Sequence, residues 1–300
     1  MSLFKKNYFR RNHMRATAGN STLSRSHMGN FFVFLFLLIV GSFMALPLIY
    51  TLLQSVKPTE ELFTYPPKFY VKNPTFDNFK QAAQLAGNLW VPFSRYLFNS
   101  LFISVVGTSA YIVVASLAAY PMAKAKKLPG MLFISQLIVW TLLFRAEVTA
   151  IPQYIIIAGL GMVNTYWALL LPALAGTFGV FLMRQFMVST IPDAILEAAR
   201  IDGANEYSIF WKIAMPCVKP AWMTLIIFTF QGLWSTTGAN YIYEESMRML
   251  PNVLSQIAAG GIARAGAGSA VAVIIMIPPI IVFLISQSSV METMAHSGIK

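Results

Sequence analysis

The chain has 300 residues, of which 57% are hydrophobic and 11% charged, and its net charge is +11. An average soluble domain carries about 25% charged residues, so this composition indicates a membrane protein and excludes most soluble classes. A single cysteine and three histidines placed far apart near the two ends exclude a disulfide framework and predict no metal site.

Residues 1–30 form a basic arm with six Lys and Arg side chains and no acidic residue. The positive-inside rule places such an arm in the cytoplasm. The segments predicted to lie inside hold 14 Lys and Arg, against 7 in the segments predicted outside. The positive charge is therefore explained by topology and by contact with anionic lipid, and no nucleic-acid partner is expected.

Six apolar segments are long enough to predict membrane-crossing helices, which need about 20 residues each. The predicted spans are 31–53, 97–119, 131–151, 167–187, 221–242 and 270–290. The first is too long for the apolar region of a signal peptide, so we expect it to remain as an anchor. The sequence thus predicts an all-α membrane protein with one six-helix transmembrane domain over 31–300 and both termini in the cytoplasm.

Between the first two spans, residues 54–96 contain five prolines. Proline at this density predicts an irregular cap with one short helix, which we expect around 76–85.

The longest predicted inside loop covers residues 184–220 and reads as helix, glycine turn, helix and proline stop. Pro192 and Asp193 suit the first turn of a helix, Gly203 permits a left-handed turn, and Pro216 is expected to end the second helix. The second helix has an apolar face although it lies outside the spans. Physical reasoning leaves two alternatives open: the helix lies on the lipid headgroups, or it docks into a partner protein.

The run from Glu197 to Pro216 resembles the EAA loop of ABC-transporter permeases. It has EAA at 197–199, Gly203 after three further residues, and Ile213 after nine more. Only Met215 departs from the pattern, which has leucine there, and this is a volume-conserving apolar exchange. EAARIDGA over 197–204 is similar to the carbohydrate-uptake permeases of the maltose type. Residues 182–187, the Pro278-Pro279 pair and the tail 295–300 also resemble that subfamily, although the tail lacks one of its usual glycines.

This resemblance implies the type I ABC importer permease fold and a multi-pass location in a bacterial or archaeal cell membrane. It also implies a second homologous permease forming a heterodimer, two ATPase subunits that bind ATP and Mg, an extracytoplasmic solute-binding protein, and a carbohydrate as solute. The chain itself is expected to hold no cofactor. In the family the EAA helix sits in a cleft of the ATPase, so Glu197, Ala198, Ala199, Asp202 and Gly203 are the expected coupling residues.

Candidates for the solute pathway are Arg145 and Glu147, which are ionisable residues inside a predicted span. They are two positions apart on a helix and so point to different faces, and the alternative is that both lie at the outer interface. The rings of Trp140, Tyr154 and Trp234 could stack on sugar rings. Aromatic residues at such depths also serve as packing or as an interface belt.

Two other classes of protein compete with the transporter subunit. A self-sufficient secondary carrier or channel would fit six apolar spans, but it has no need of an EAA loop. An intramembrane enzyme or a scaffold would need a catalytic constellation or a large soluble region. The sequence has no phosphate-binding GxxxxGK[ST] loop, HExxH or CxxC motif. We therefore expect a non-catalytic subunit.

Overall fold

The computed structural model describes residues 27–66, 68–87, 91–124, 129–144 and 146–297, and these residues contain helices and no β-strand. The α-helices in this part of the chain are α1 His27–Val56, α2 Thr59–Leu62, α3 Asp77–Gly87, α4 Phe93–Lys124, α5 Met131–Thr141, α6 Ala146–Gly159, α7 Trp167–Leu174, α8 Thr177–Thr190, α9 Asp193–Ile201, α10 Glu206–Ile209, α11 Met215–Cys217, α12 Lys219–Trp234, α13 Leu250–Ala258 and α14 Ala265–Ser297. The chain divides into two compact units, and the larger one begins at Tyr50.

Helix α4 is the centre of this unit and packs against α7, α8 and α12. Close approach depends on Gly107, because a Cβ there would lie 2.6 Å from a methyl carbon of Leu233 on α12 and 3.2 Å from one of Leu170 on α7. Small residues let helix backbones approach each other in a membrane, where van der Waals packing replaces the hydrophobic effect as the driving force.

A buried group that we call the loop cluster joins the middle of α4 to the loop of residues 184–220. It contains Tyr111 of α4, Met183 and Met187 of α8, Leu196 of α9 and Ile209 of α10, together with neighbours that extend to Leu225 of α12. The loop is therefore packed onto the membrane helices by the same core that holds those helices together.

Four helical segments of the described residues are long and apolar enough to cross a membrane: 28–56, 93–124, 167–190 and 265–288. They contain the predicted first, second and fourth spans and all but the last two residues of the sixth. A fifth span is present if the helical stretches 206–217 and 219–234 count as one span that is bent by 77°. The number of six crossings stays a prediction.

Three predicted spans are not single helices, and one of them, 167–187, is divided between α7 and α8. Residues 131–151 form α5 and α6, because the amides of Leu143 and Phe144 bond to carbonyls three residues back and tighten the end of α5. Residues 221–242 are helical only to Trp234. The hydroxyl of Ser235 bonds to the Gln231 carbonyl, and Gly238 turns the chain at a φ of +64°.

The prediction that the second helix of the loop ends at Pro216 was wrong, because the helical turns continue through Pro216 to Cys217. A π-helical turn over Phe210–Ala214 precedes it, in which the Met215 amide bonds to the Phe210 carbonyl five residues back. This widened turn and the placement of Pro216 in the first turn of α11 accommodate a residue that has no N–H. The chain changes direction at Val218 instead, and α12 begins at Lys219.

Candidate functional site

The loop of residues 184–220 contains a well-formed turn between α9 and α10. Gly203 has a φ of +81°. The Gly203 amide donates to the Arg200 carbonyl at 3.1 Å, and the Ala204 amide donates to the Ala199 carbonyl at 3.0 Å. These two bonds form a Schellman motif, which satisfies carbonyls at the end of a helix and needs the left-handed conformation that glycine adopts without strain. Asn205 then caps α10 by accepting the Ser208 amide at 2.7 Å.

The two short helices bury one face and expose the other. Leu196 is 2% exposed in the loop cluster, and Ala199 packs against that cluster. Glu197, Ala198, Asp202 and Gly203 are exposed. The exposed face also carries large apolar side chains, with Ile201 86% and Tyr207 68% exposed. Exposed apolar surface of this kind on a short amphipathic element marks an interaction site.

An ion pair spans the glycine turn. The Arg200 Nε lies 2.6 Å from the Glu206 carboxylate, whose other oxygen accepts the hydroxyl of Tyr120 on α4 at 3.1 Å. The hydrogen bond to Glu206 raises the pKa of Arg200 above its ordinary value. The pair connects α9 to α10, and the Tyr120 hydroxyl connects Glu206 to α4.

Lys124, at the end of α4, holds the start of α9. Its ammonium donates to the Ile191 carbonyl at 2.5 Å and to the Asp193 carboxylate at 2.7 Å, and its side chain is only 6% exposed. Charge-assisted hydrogen bonds from a buried ammonium are stronger than neutral ones. The loop is thus attached to α4 at both of its helices.

Sequence reasoning missed Tyr120, Lys124, Arg200 and Glu206 as parts of this site. Arg200 and Glu206 flank the expected glycine turn with opposite charges, and that spacing was a usable signal. Nothing near Tyr120 or Lys124 in the sequence indicates a contact with residues about 70 to 90 positions further along the chain.

The predicted pathway residues are not all brought together. Trp140 lies near the end of α5 and is 54% exposed, and Glu147 lies exposed in the first turn of α6. The ring of Tyr154 on α6 stacks against Tyr241 with centroids 6.2 Å apart. Arg145 lies outside the described residues.

Trp234 has a different environment from the other pathway candidates. It is 2% exposed and stacks on Phe230 at 5.8 Å. Its indole N–H donates to the Ile275 carbonyl at 2.8 Å. Pro279 has no N–H, so the carbonyl four residues before it has lost its helical partner, and Trp234 supplies the missing donor. This geometry favours a packing role for Trp234 in the conformation described.

A second polar network lies at the N-terminal end of α4. Glu245 accepts hydrogen bonds from the Tyr96 hydroxyl at 2.5 Å and from the Gln256 amide at 2.7 Å, and it pairs with Arg248 at 2.9 Å. Burial raises the pKa of Glu245, but these hydrogen bonds and Arg248 outweigh burial and leave the pKa below its ordinary value. The network fixes the segment after α12 to α4. Among the described residues no group of His, Cys, Asp and Glu could hold a metal ion.

The chain is similar in sequence and in fold to known proteins. Residues 125–292 match the family described as binding-protein-dependent transport system inner membrane component. The chain is 32% identical over 225 residues to protein LplC of Bacillus subtilis, covering 74% of this chain and 73% of that protein. It is 28% identical over 286 residues to the polygalacturonan/rhamnogalacturonan transport system permease protein YtcP of the same species, covering 86% and 93%. A chain of a bacterial ABC transporter involved in the import of the acidic polysaccharide alginate superposes with a TM-score of 0.74 at 23% identity, covering 88% of this chain and 98% of that chain.

Proposed function

The chain belongs to the inner-membrane permease family of binding-protein-dependent ABC transporters, and we propose that it is one half of the translocation pathway of a carbohydrate importer, driven through the α9–α10 turn. Its fold is that of a type I ABC importer permease. Permeases of this family are non-catalytic components of the cell membrane that work with other transporter subunits and a solute-binding protein.

The observation that carries the coupling proposal is the exposed face of the α9–α10 turn. Ala198 presents almost no side chain, so another backbone surface can approach closely, and Glu197 beside it can form charge-assisted hydrogen bonds with a cationic partner. Ile201 offers apolar area to the same partner. We propose that this partner is one of two ATPase subunits, which bind ATP and Mg, and that a second homologous permease completes the pathway.

Motion would reach the membrane helices through the attachments of the loop. Lys124 and Glu206 connect it to α4 by hydrogen bonds, and the loop cluster connects it to α8 and α12 by packing. A displacement of the turn therefore carries helix ends with it as a rigid-body shift.

The proposed solute is an oligosaccharide. The support is the named solutes of two similar proteins, a polygalacturonan/rhamnogalacturonan permease and an alginate importer. A ligand screen on the cognate solute-binding protein would identify the sugar.

The coupling proposal is tested by Glu197→Lys in the complex reconstituted with its partners. Charge reversal on the exposed face should lower solute-stimulated ATP hydrolysis by about tenfold or more while leaving membrane insertion intact. Glu60→Lys is the matched control, because Glu60 is an exposed glutamate on α2, in the cap that follows α1.

Gly203→Pro should have the same effect as Glu197→Lys, since proline cannot adopt the φ of +81° or donate to Arg200. Stimulated hydrolysis that survives both changes would refute the coupling role.

A further inference from the structure

We propose that Tyr111 is a positioning residue for coupling. Its hydroxyl caps the start of α8 at the break between α7 and α8, inside the membrane domain, and so holds α8 in position. The inference rests on the proposed function of the α9–α10 turn, to which α8 leads directly.

The fourth predicted span is interrupted where α7 ends at Leu174 and α8 begins at Thr177. Gly176 leaves the helical conformation with a ψ of 118° and offers no side chain to cap α8. The first amides of a helix have no partner within that helix. Inside a bilayer no water can satisfy a free backbone group, so such a break needs a partner from elsewhere in the protein.

Tyr111 of α4 provides that partner. Its hydroxyl accepts the Gly179 amide at 2.6 Å and donates to the Gly176 carbonyl at 3.0 Å. Gly179 is the third residue of α8, so the hydroxyl takes the place that a serine or threonine takes at an ordinary helix start. The cap is supplied by a different helix, 68 residues away in the chain.

Two glycines make this arrangement possible. A Cβ at position 179 would lie 2.4 Å from the Tyr111 hydroxyl oxygen, and a Cβ at position 176 would lie 2.9 Å from its ring. The tyrosine fits only because both positions lack a side chain. The ring, 5% exposed, fills the space above the break.

The same residue connects the break to the α9–α10 turn. Tyr111 belongs to the loop cluster with Met183 and Met187 of α8 and with Leu196 of α9. Only Ile191 and Pro192 separate α8 from α9. Hinges are a few residues at element ends that absorb a change of φ and ψ. The structure thus assigns Gly176 as the hinge about which α8 and the α9–α10 turn move together. Tyr111 is the residue that holds α8 in position at this hinge.

Tyr111→Phe tests this inference in the full reconstituted complex, because phenylalanine keeps the ring that fills the break and removes only the hydroxyl. Amide hydrogen exchange in residues 177–183 should become about tenfold faster, and solute transported per ATP hydrolysed should fall by about fivefold or more. Ser116→Ala is the matched control. Ser116 is fully buried on α4, and within the part of the chain that the structure describes its hydroxyl bonds only to the Ile112 carbonyl of its own helix, so both measurements should stay at the wild-type values.

Unchanged exchange in Tyr111→Phe would overturn the cap. Faster exchange with unchanged transport per ATP would overturn the positioning role. Failure of the proposed function has a different signature, because stimulated hydrolysis would then survive Glu197→Lys whatever Tyr111→Phe does to the exchange of α8.

Discussion

Lys124 illustrates how a single buried charge can position a functional loop. Its ammonium is held between the Ile191 carbonyl and the Asp193 carboxylate, and its side chain is 6% exposed. Desolvated charges of this kind are retained only when their hydrogen bonds are satisfied. The start of α9 therefore has one favoured position relative to α4.

Replacing Lys124 by methionine should test that positioning. The change leaves the Ile191 carbonyl without its donor, and we expect a loss of about 1–3 kcal/mol in the free energy of unfolding, measured by thermal unfolding of the complex in nanodiscs. Lys80→Met is the control, because the Lys80–Asp77 pair is 76% and 73% exposed and such exposed pairs contribute little to stability. Equal effects of the two substitutions would contradict an anchoring role for Lys124.

Trp234 and Pro279 should be energetically coupled. Trp234→Phe removes the donor to the Ile275 carbonyl and should cost about 1–3 kcal/mol. In a Pro279→Ala background the new amide at 279 can bond to that carbonyl, so the same substitution should cost clearly less. A double-mutant cycle on the unfolding midpoint measures the difference. Additive effects would show that the indole does not replace the donor lost at Pro279.

At the scale of secondary structure, local rules predicted the α9–α10 turn well and the third span poorly. Pro192, Asp193 and Gly203 act on their immediate neighbours, and the structure places α9 at Asp193–Ile201 with Gly203 left-handed. The break after α5 depends on backbone bonds that tighten the helix end, which hydropathy does not register. The break before α8 depends on Tyr111, a residue remote in sequence.

Gly203→Ala should weaken the turn without removing its amide. A left-handed φ costs a residue with a Cβ about 1–2 kcal/mol, and space is not limiting because a Cβ at 203 would meet nothing within 4 Å. Gly232→Ala is the matched control. Its Cβ also meets nothing, but it lies inside α12, where alanine favours the helix by about 1 kcal/mol. Opposite shifts of the unfolding midpoint are expected, and a shift of the same sign in both variants would contradict the strain at Gly203.

The chain exposes surfaces that a complete transporter would cover. None of the described residues of α5 is buried, and Leu132 on α5 and Leu143 just after it are 86% and 78% exposed. The α9–α10 turn exposes Ile201 and Tyr207 in the same way. Composition indicated a membrane protein but could not separate surface that faces lipid from surface that faces a partner, because both are apolar.

Site-specific photo-cross-linking in the intact complex tests whether the α9–α10 turn binds an ATPase subunit. A photoreactive residue replacing Ala198, which is exposed beside Glu197, is placed on the proposed contact. Ile285 on α14, 68% exposed, is the matched exposed position in the predicted sixth span. We expect a cross-link from position 198 to the ATPase subunit and none from position 285. A cross-link from position 198 to lipid alone would contradict the proposed contact and would place the two short helices on the membrane surface.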